Sequence, residues 1–75
     1  MKKKFVETAA KAFGVKPSLL SMRSARGTVR GWDSLGHLKL FMALEKVFKV
    51  NFPAHKIMRY KDLGQIYADL ERAKK

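Results

Sequence analysis

The sequence predicts an all-α fold, a small four-helix bundle with a long loop between helices 1 and 2 and a short third helix. Three observations support this prediction. Apolar residues recur at helical spacing in three segments, and no segment alternates apolar and polar residues as a half-buried strand does. Glycine, proline, serine and threonine concentrate between the first two helical segments. The 75 residues are expected to form one domain, 1–75.

Helix 1 is predicted over residues 3–13, because its apolar side chains fall on one helical face. These residues are Phe5, Val6, Ala9, Ala10 and Phe13. Gly14 follows directly, and glycine is common just after a helix because it adopts the left-handed conformation without steric cost. The helix is therefore expected to end at Phe13.

Residues 15–33 are predicted to form a long loop, because Pro17, Gly27 and Gly31 interrupt the helical pattern. Loops of this length are uncommon in small domains and often carry function. A short turn of helix is compatible with residues 17–21. Five apolar residues are expected to anchor the loop on the core: Val15, Leu19, Leu20, Met22 and Trp32.

Residues 34–48 carry the strongest helical pattern of the chain. The predicted core face consists of Leu40, Phe41, Leu44, Val47 and Phe48, with His37 near its centre. Lys39 and Lys46 point the opposite way, and Leu35 and Met42 lie beside these lysines. An outer face that is both apolar and charged favours a contact surface for a partner.

Two further helices are predicted after the break at residues 51–53. The segment 54–60 forms one short helix at most, and the last helix covers about residues 61–73. Its apolar face consists of Leu63, Ile66, Tyr67 and Leu70. Asp62 in the first turn and Arg72 in the last turn are both favourable for the helix dipole.

The chain is strongly basic, with 17 lysine and arginine residues against six acidic ones and a net charge of +11. This balance predicts attraction to nucleic acid, anionic lipid or an acidic protein. The lack of cysteine excludes disulfides and cysteine-ligated zinc, and the spacing of His37 and His55 offers no metal site. No apolar run reaches the ~20 residues of a membrane span, so a cytoplasmic protein is expected. The chain is also expected to be a monomer.

The stretch GWDSLGH, residues 31–37, places Asp33 and Ser34 at the start of helix 2. Catalysis by Ser34 would need a base and an orienting acid, and the chain lacks both the G-x-S-x-G elbow and the strands of a serine hydrolase, so no enzyme is expected. A helix cap is a second role for either residue. An attachment point is a third role for Ser34, because a helix N-terminus favours a phosphate.

The segment GWDSLGHLKLFMALEKVF, residues 31–48, resembles the acyl carrier protein family, whose modification motif is D-S-L, here residues 33–35. FGVKPSLLS at residues 13–21 is similar to the family's loop opening, where G-V-D-P is common. Pro53 matches the proline before the family's short helix. The resemblance covers about residues 5–72, and the motif within this helix pattern is far more specific than D-S-L alone.

This resemblance implies a carrier protein rather than an enzyme. Ser34 would receive 4′-phosphopantetheine from coenzyme A through a phosphopantetheinyl transferase. The thiol of that arm would hold acyl groups as thioesters for synthase or acyl-transferring enzymes. Asp33, Leu35 and Met42 match positions that partner enzymes of the family commonly contact.

The charge of the chain departs from the family pattern. Members are usually acidic, whereas Lys39 and Lys46 stand where their second helix offers carboxylates, and Lys16 replaces the aspartate of G-V-D-P. One hypothesis is a set of partner enzymes with acidic docking patches, recognised through Lys39 and Lys46. Another is a carrier scaffold of altered charge that is not modified. A third, from a different class, is a basic helical module that binds nucleic acid or an anionic surface, nonspecifically at low salt.

Overall fold

The structure, a computed structural model, describes residues 1–74. Its elements are α1 over Lys2–Phe13, a 3₁₀ turn over Pro17–Leu19, α2 over Ser34–Phe48, α3 over Ala54–Ile57 and α4 over Leu63–Lys74. The described residues contain no β-strand, and one isolated antiparallel bridge joins Ala25 to Asp62. The predictions of four helices, a long loop and a short third helix are confirmed.

The ends of the first two helices follow local signals. α1 ends at Phe13 as predicted, because Gly14 takes the left-handed conformation at φ 73° and the Val15 N–H donates to the Ala10 carbonyl at 3.0 Å. α2 begins at Ser34 and ends at Phe48, as the periodicity predicted. Lys49 ends it in the left-handed region at φ 56°.

The third helix is shorter than the segment 54–60, because side chains form hydrogen bonds with the backbone before the helix and at its end. Glu45 Oε2 accepts a hydrogen bond from the Phe52 N–H at 2.8 Å and fixes the turn after α2. The Ile57 carbonyl bonds to the imidazole of His37 instead of continuing the helical ladder. α3 therefore spans little more than one turn.

The fourth helix starts two residues later than the sequence predicted. Asp62 is not in its first turn but precedes it, and the Asp62 carboxylate accepts a hydrogen bond from the Gln65 N–H at 2.8 Å. Asp62 thus caps the helix, which still places a negative charge at the positive end of the dipole. Arg72 lies in the last turn as predicted and pairs with Asp69.

The core lies between the three longer helices, and its fully buried side chains come from all of them. These are Phe5 and Ala9 of α1, Leu40 and Leu44 of α2, and Leu63, Ile66 and Leu70 of α4. Two predicted core residues are exposed instead. Val47, 37% exposed, lies at the edge of the buried face of α2, beside α1. Leu19, 70% exposed, is the last residue of the 3₁₀ turn, and the next residue, Leu20, is extended and packs against the core in its place.

The long loop is fastened to the start of α4 by backbone hydrogen bonds. The Leu63 N–H donates to the Ser24 carbonyl at 3.0 Å, and the Gly64 N–H donates to the Met22 carbonyl at 2.9 Å. The Arg26 N–H donates to the Lys61 carbonyl at 3.1 Å. These bonds attach the middle of the loop, residues 22–26, to the start of α4 and satisfy its backbone polar groups there.

Residues 1–74 include no helix with the length and apolar content needed to cross a membrane. The same residues hold no group of three or more histidine and acidic side chains placed to bind a metal ion.

Candidate functional site

The site suggested by the D-S-L motif is the N-terminus of α2. Asp33 is the N-cap, and its Oδ1 accepts a hydrogen bond from the Gly36 N–H at 2.7 Å. Ser34 is the first helical residue; its side chain is exposed and has no hydrogen-bond partner among residues 1–74. The capping role therefore belongs to Asp33 alone, and the Ser34 hydroxyl remains available for chemistry.

The structure offers Ser34 no catalytic base from His37, the histidine nearest in sequence. His37 is completely buried, and both of its ring nitrogens are engaged in other hydrogen bonds. A base must reach the hydroxyl whose proton it removes. His37 is instead the packed core histidine that the periodicity predicted.

Two glycines flank the D-S-L motif and bring the loop against the helix. A Cβ atom on Gly36 would lie 1.9 Å from the Gly31 carbonyl oxygen. A Cβ atom on Gly31, whose φ is +87°, would lie 2.1 Å from the Phe13 carbonyl oxygen. Only glycine permits these approaches. Gly31 therefore packs between the end of α1 and the first turn of α2, and this packing fixes the position of Ser34.

A buried hydrogen-bond chain lies directly beneath the motif. Trp32 Nε1–H donates to His37 Nδ1 at 2.9 Å, and an indole N–H can only donate. His37 therefore carries its proton on Nε2, which donates to the Ile57 carbonyl at 2.5 Å. Through this one imidazole the loop, α2 and α3 are joined beside Ser34. Trp32 also stacks on Phe13, with ring centroids 4.9 Å apart.

The position of His37 holds it neutral. Burial lowers its pKa below the usual 6.5, and the positive charge of Arg26 adds to this effect, while the hydrogen bond to Ile57 opposes it. A proton on Nδ1 would also meet the Trp32 N–H head-on. The hydrogen bonds to Trp32 and Ile57 therefore require the neutral imidazole with its proton on Nε2.

An exposed strip of α2, here called the α2 ridge, runs away from Ser34. It consists of Leu35, Leu38, Lys39, Met42 and Lys46. Leu35 is 61% exposed, Leu38 50% and Met42 70%, at spacings of three and four residues. The exposure predicted for Leu35, Met42 and the two lysines is confirmed. Leu38 was missed, although its spacing from Leu35 and Met42 is the signal that identifies it.

Basic charge on the molecule is largely unpaired. Within residues 1–74 the only ion pair joins Asp69 and Arg72, so neither Lys39 nor Lys46 meets a carboxylate. The α2 ridge therefore combines apolar contact area with positive charge that an acidic partner would neutralise.

Two other lysines lie at the C-terminal end of α2. Lys74 Nζ donates to the Phe48 carbonyl at 3.1 Å, and Lys4 Nζ lies 5.9 Å from the Phe48 ring centroid.

No protein-family model and no curated protein sequence matches this chain.

Replacing Asp33 with alanine is expected to lower the free energy of unfolding by about 1 kcal/mol, because the first turn of α2 loses its only side-chain cap. Asp33→Asn keeps an oxygen acceptor for the Gly36 N–H and is the matched control, with a loss of a few tenths of a kcal/mol at most. Urea denaturation of the two variants and the wild type measures the difference. Equal losses in both variants would show that charge, and not the cap, is what Asp33 contributes.

Proposed function

We propose that this protein is a carrier protein of the acyl carrier type, with 4′-phosphopantetheine attached to Ser34. The observation that carries the proposal is the division of roles at the start of α2. Asp33 takes the cap, so Ser34 presents an unpartnered, exposed hydroxyl on a rigid first turn. This arrangement suits attachment of an arm better than it suits catalysis or capping.

The chain contributes the attacking atom and the scaffold in this proposal. Ser34 Oγ attacks the phosphorus that bears pantetheine in coenzyme A, adenosine 3′,5′-bisphosphate leaves, and the hydroxyl proton passes to the transferase. When bound, the arm supplies a thiol that forms thioesters with acyl groups. The free N–H groups of the first turn and the positive end of the α2 dipole favour the phosphate next to Ser34.

The α2 ridge is the proposed docking surface for partner enzymes. Leu35, Leu38 and Met42 supply apolar contact beside Ser34, and Lys39 and Lys46 set the charge that the partner must complement. The phosphopantetheinyl transferase and the acyl-transferring or synthase enzymes are therefore expected to present acidic docking patches. Complementary charge acts mainly on the association rate, so added salt should slow these encounters. A cytoplasmic monomer fits this role.

A different class, a basic helical module for nucleic acid or other anionic surfaces, is favoured by the unpaired charge. Among residues 1–74 only Arg72 pairs with a carboxylate, while the chain as a whole carries +11. Binding by charge alone falls steeply with rising salt and does not depend on Ser34. Modification of a carrier protein requires Ser34, so dependence on Ser34 distinguishes the two functions.

The test is intact mass after incubation with coenzyme A, magnesium and a broad-specificity phosphopantetheinyl transferase. The wild type is expected to gain the mass of one phosphopantetheine, and Ser34→Ala is expected to gain none. Ser18→Ala removes another exposed serine and should be modified like the wild type. If the wild type gains nothing, the incubation is repeated with a transferase whose docking surface is acidic. A second failure contradicts the carrier proposal and leaves an unmodified scaffold or the basic module.

A further inference from the structure

A groove between α1 and α2 forms a second surface, which does not include Ser34 but shares Lys39 and Lys46 with the α2 ridge. The groove has a volume of about 540 Å³ and a floor of small apolar side chains from both helices. The floor residues are Ala12, Ala43 and Val47. Val47, which periodicity predicts in the core, is 37% exposed and lines this groove.

The walls of the groove carry a regular arrangement of positive charge. Each wall has two lysines seven residues apart, Lys4 and Lys11 on α1 and Lys39 and Lys46 on α2. Seven residues are two helical turns, so the two lysines of a wall are about 10.5 Å apart along its axis. Glu7 is the only acidic residue among those lining the groove, and none of the four lysines forms an ion pair within residues 1–74.

We propose that this groove binds an acidic amphipathic helix of a partner protein. A helix has the same axial repeat as the two walls, so carboxylates at i and i+7 on its flanks meet all four lysines at once. Its apolar stripe would then cover Ala12, Ala43 and Val47, whose small side chains let a third helix approach closely. Binding of a helix in a groove between two others is a common recognition mode.

Other anionic partners satisfy only part of this surface. A phosphate backbone would neutralise the lysines and leave the apolar floor without apolar contact. A bilayer surface is too flat to reach the floor, and the large apolar residues of α1, Phe5 and Phe13, are buried in the core and cannot insert. The combination of four cations and an apolar floor selects a helix that carries both acids and small apolar residues.

The test uses the full unmodified chain and a synthetic peptide of about 20 residues, longer than the ~12–15 residues below which isolated helices are marginal in water. The peptide carries glutamates at i and i+7 on each of the two flanks of an alanine stripe. Backbone amide shifts map its position, and fluorescence anisotropy gives its Kd. A peptide with every glutamate replaced by glutamine is the matched control, and it is expected not to bind.

Two variants that change the net charge by the same amount show where the peptide binds. Lys11→Glu, in the groove, is expected to weaken binding about tenfold or more, which corresponds to about 1.4 kcal/mol. Lys61→Glu, exposed and outside the groove, is expected to change the Kd by less than about twofold, as screening of a distant charge predicts. Ser34→Ala should bind like the wild type, so this test is independent of the carrier proposal.

Several results would overturn the proposal. Absence of binding, amide shifts spread over the whole surface, or equal losses in the two lysine variants would each do so. Equal binding of the glutamine peptide would remove the role of charge. A single-stranded oligonucleotide that shifts the same amides with higher affinity than the peptide would assign the groove to nucleic acid instead.

Discussion

Replacing Gly36 with alanine is expected to lower the free energy of unfolding by about 2–3 kcal/mol, a large part of the stability of so small a domain. Alanine is the better helix former by about 1 kcal/mol, so local propensity alone predicts the opposite sign. The added Cβ would lie 1.9 Å from the Gly31 carbonyl oxygen, and that oxygen belongs to the backbone of a segment that is itself held against Phe13. The loop end must move, and Ser34 moves with it.

Gly64→Ala is the matched control for this prediction. Gly64 also lies in a first helical turn that follows an aspartate cap, but its added Cβ would come no closer than 3.0 Å to another atom, the Met22 carbonyl oxygen. A small adjustment relieves that contact, and the gain in helix propensity offsets it. Urea denaturation should therefore show Gly64→Ala near the wild type. Similar losses in the two variants would contradict the steric explanation.

The second large effect is a loss of stability in mild acid caused by His37. Burial lowers the pKa of His37 in the folded protein from its unfolded value of 6.5, so the unfolded chain binds the proton more tightly. The contribution of His37 is fully present above pH 6.5 and is lost as the pH falls from 6.5 toward the lowered folded value. The slope in this window is at most about 1.4 kcal/mol per pH unit, as for any single proton.

The measurement is the free energy of unfolding at several pH values between about 4.5 and 7.5, a window around the ordinary histidine pKa. His37→Gln removes the titrating group and is expected to flatten the slope while lowering stability at neutral pH, because a glutamine cannot hold both Trp32 and Ile57 in the same geometry. His55→Gln changes the exposed histidine and is the matched control. A slope that survives in His37→Gln would assign the acid sensitivity to other groups.

The helices could be predicted from the sequence because their signals are local. The bounds of α2 and the end of α1 at Phe13 agree with the periodicity and the glycine that follows. The helical spacing predicts Val47 in the core, because an ideal helical wheel does not show how much of each face a neighbouring helix covers. The exposure of Val47 depends on how far α1 covers this face of α2, and that is decided by the packing of the two helices.

Part of the site was also predictable, because its signals are local in the sequence. Asp33 and Ser34 form a pattern within a few residues, and the capping role of Asp33 follows from its position. The approach of Gly36 to Gly31, and of Gly31 to Phe13, depends on the path of the loop over the end of α1. The bond from His37 to Ile57 spans 20 residues of sequence, so no local pattern indicates it.

The bonding of Trp32 to His37 also gives the protein an intrinsic optical reporter. Trp32 is the single tryptophan of the chain, it is 2% exposed, and it lies two residues before Ser34. Indole emission responds to solvent and to the groups that bond the ring nitrogen. Its wavelength and intensity therefore report the state of the α2 N-terminus without any label, in a spectrum free of other tryptophans.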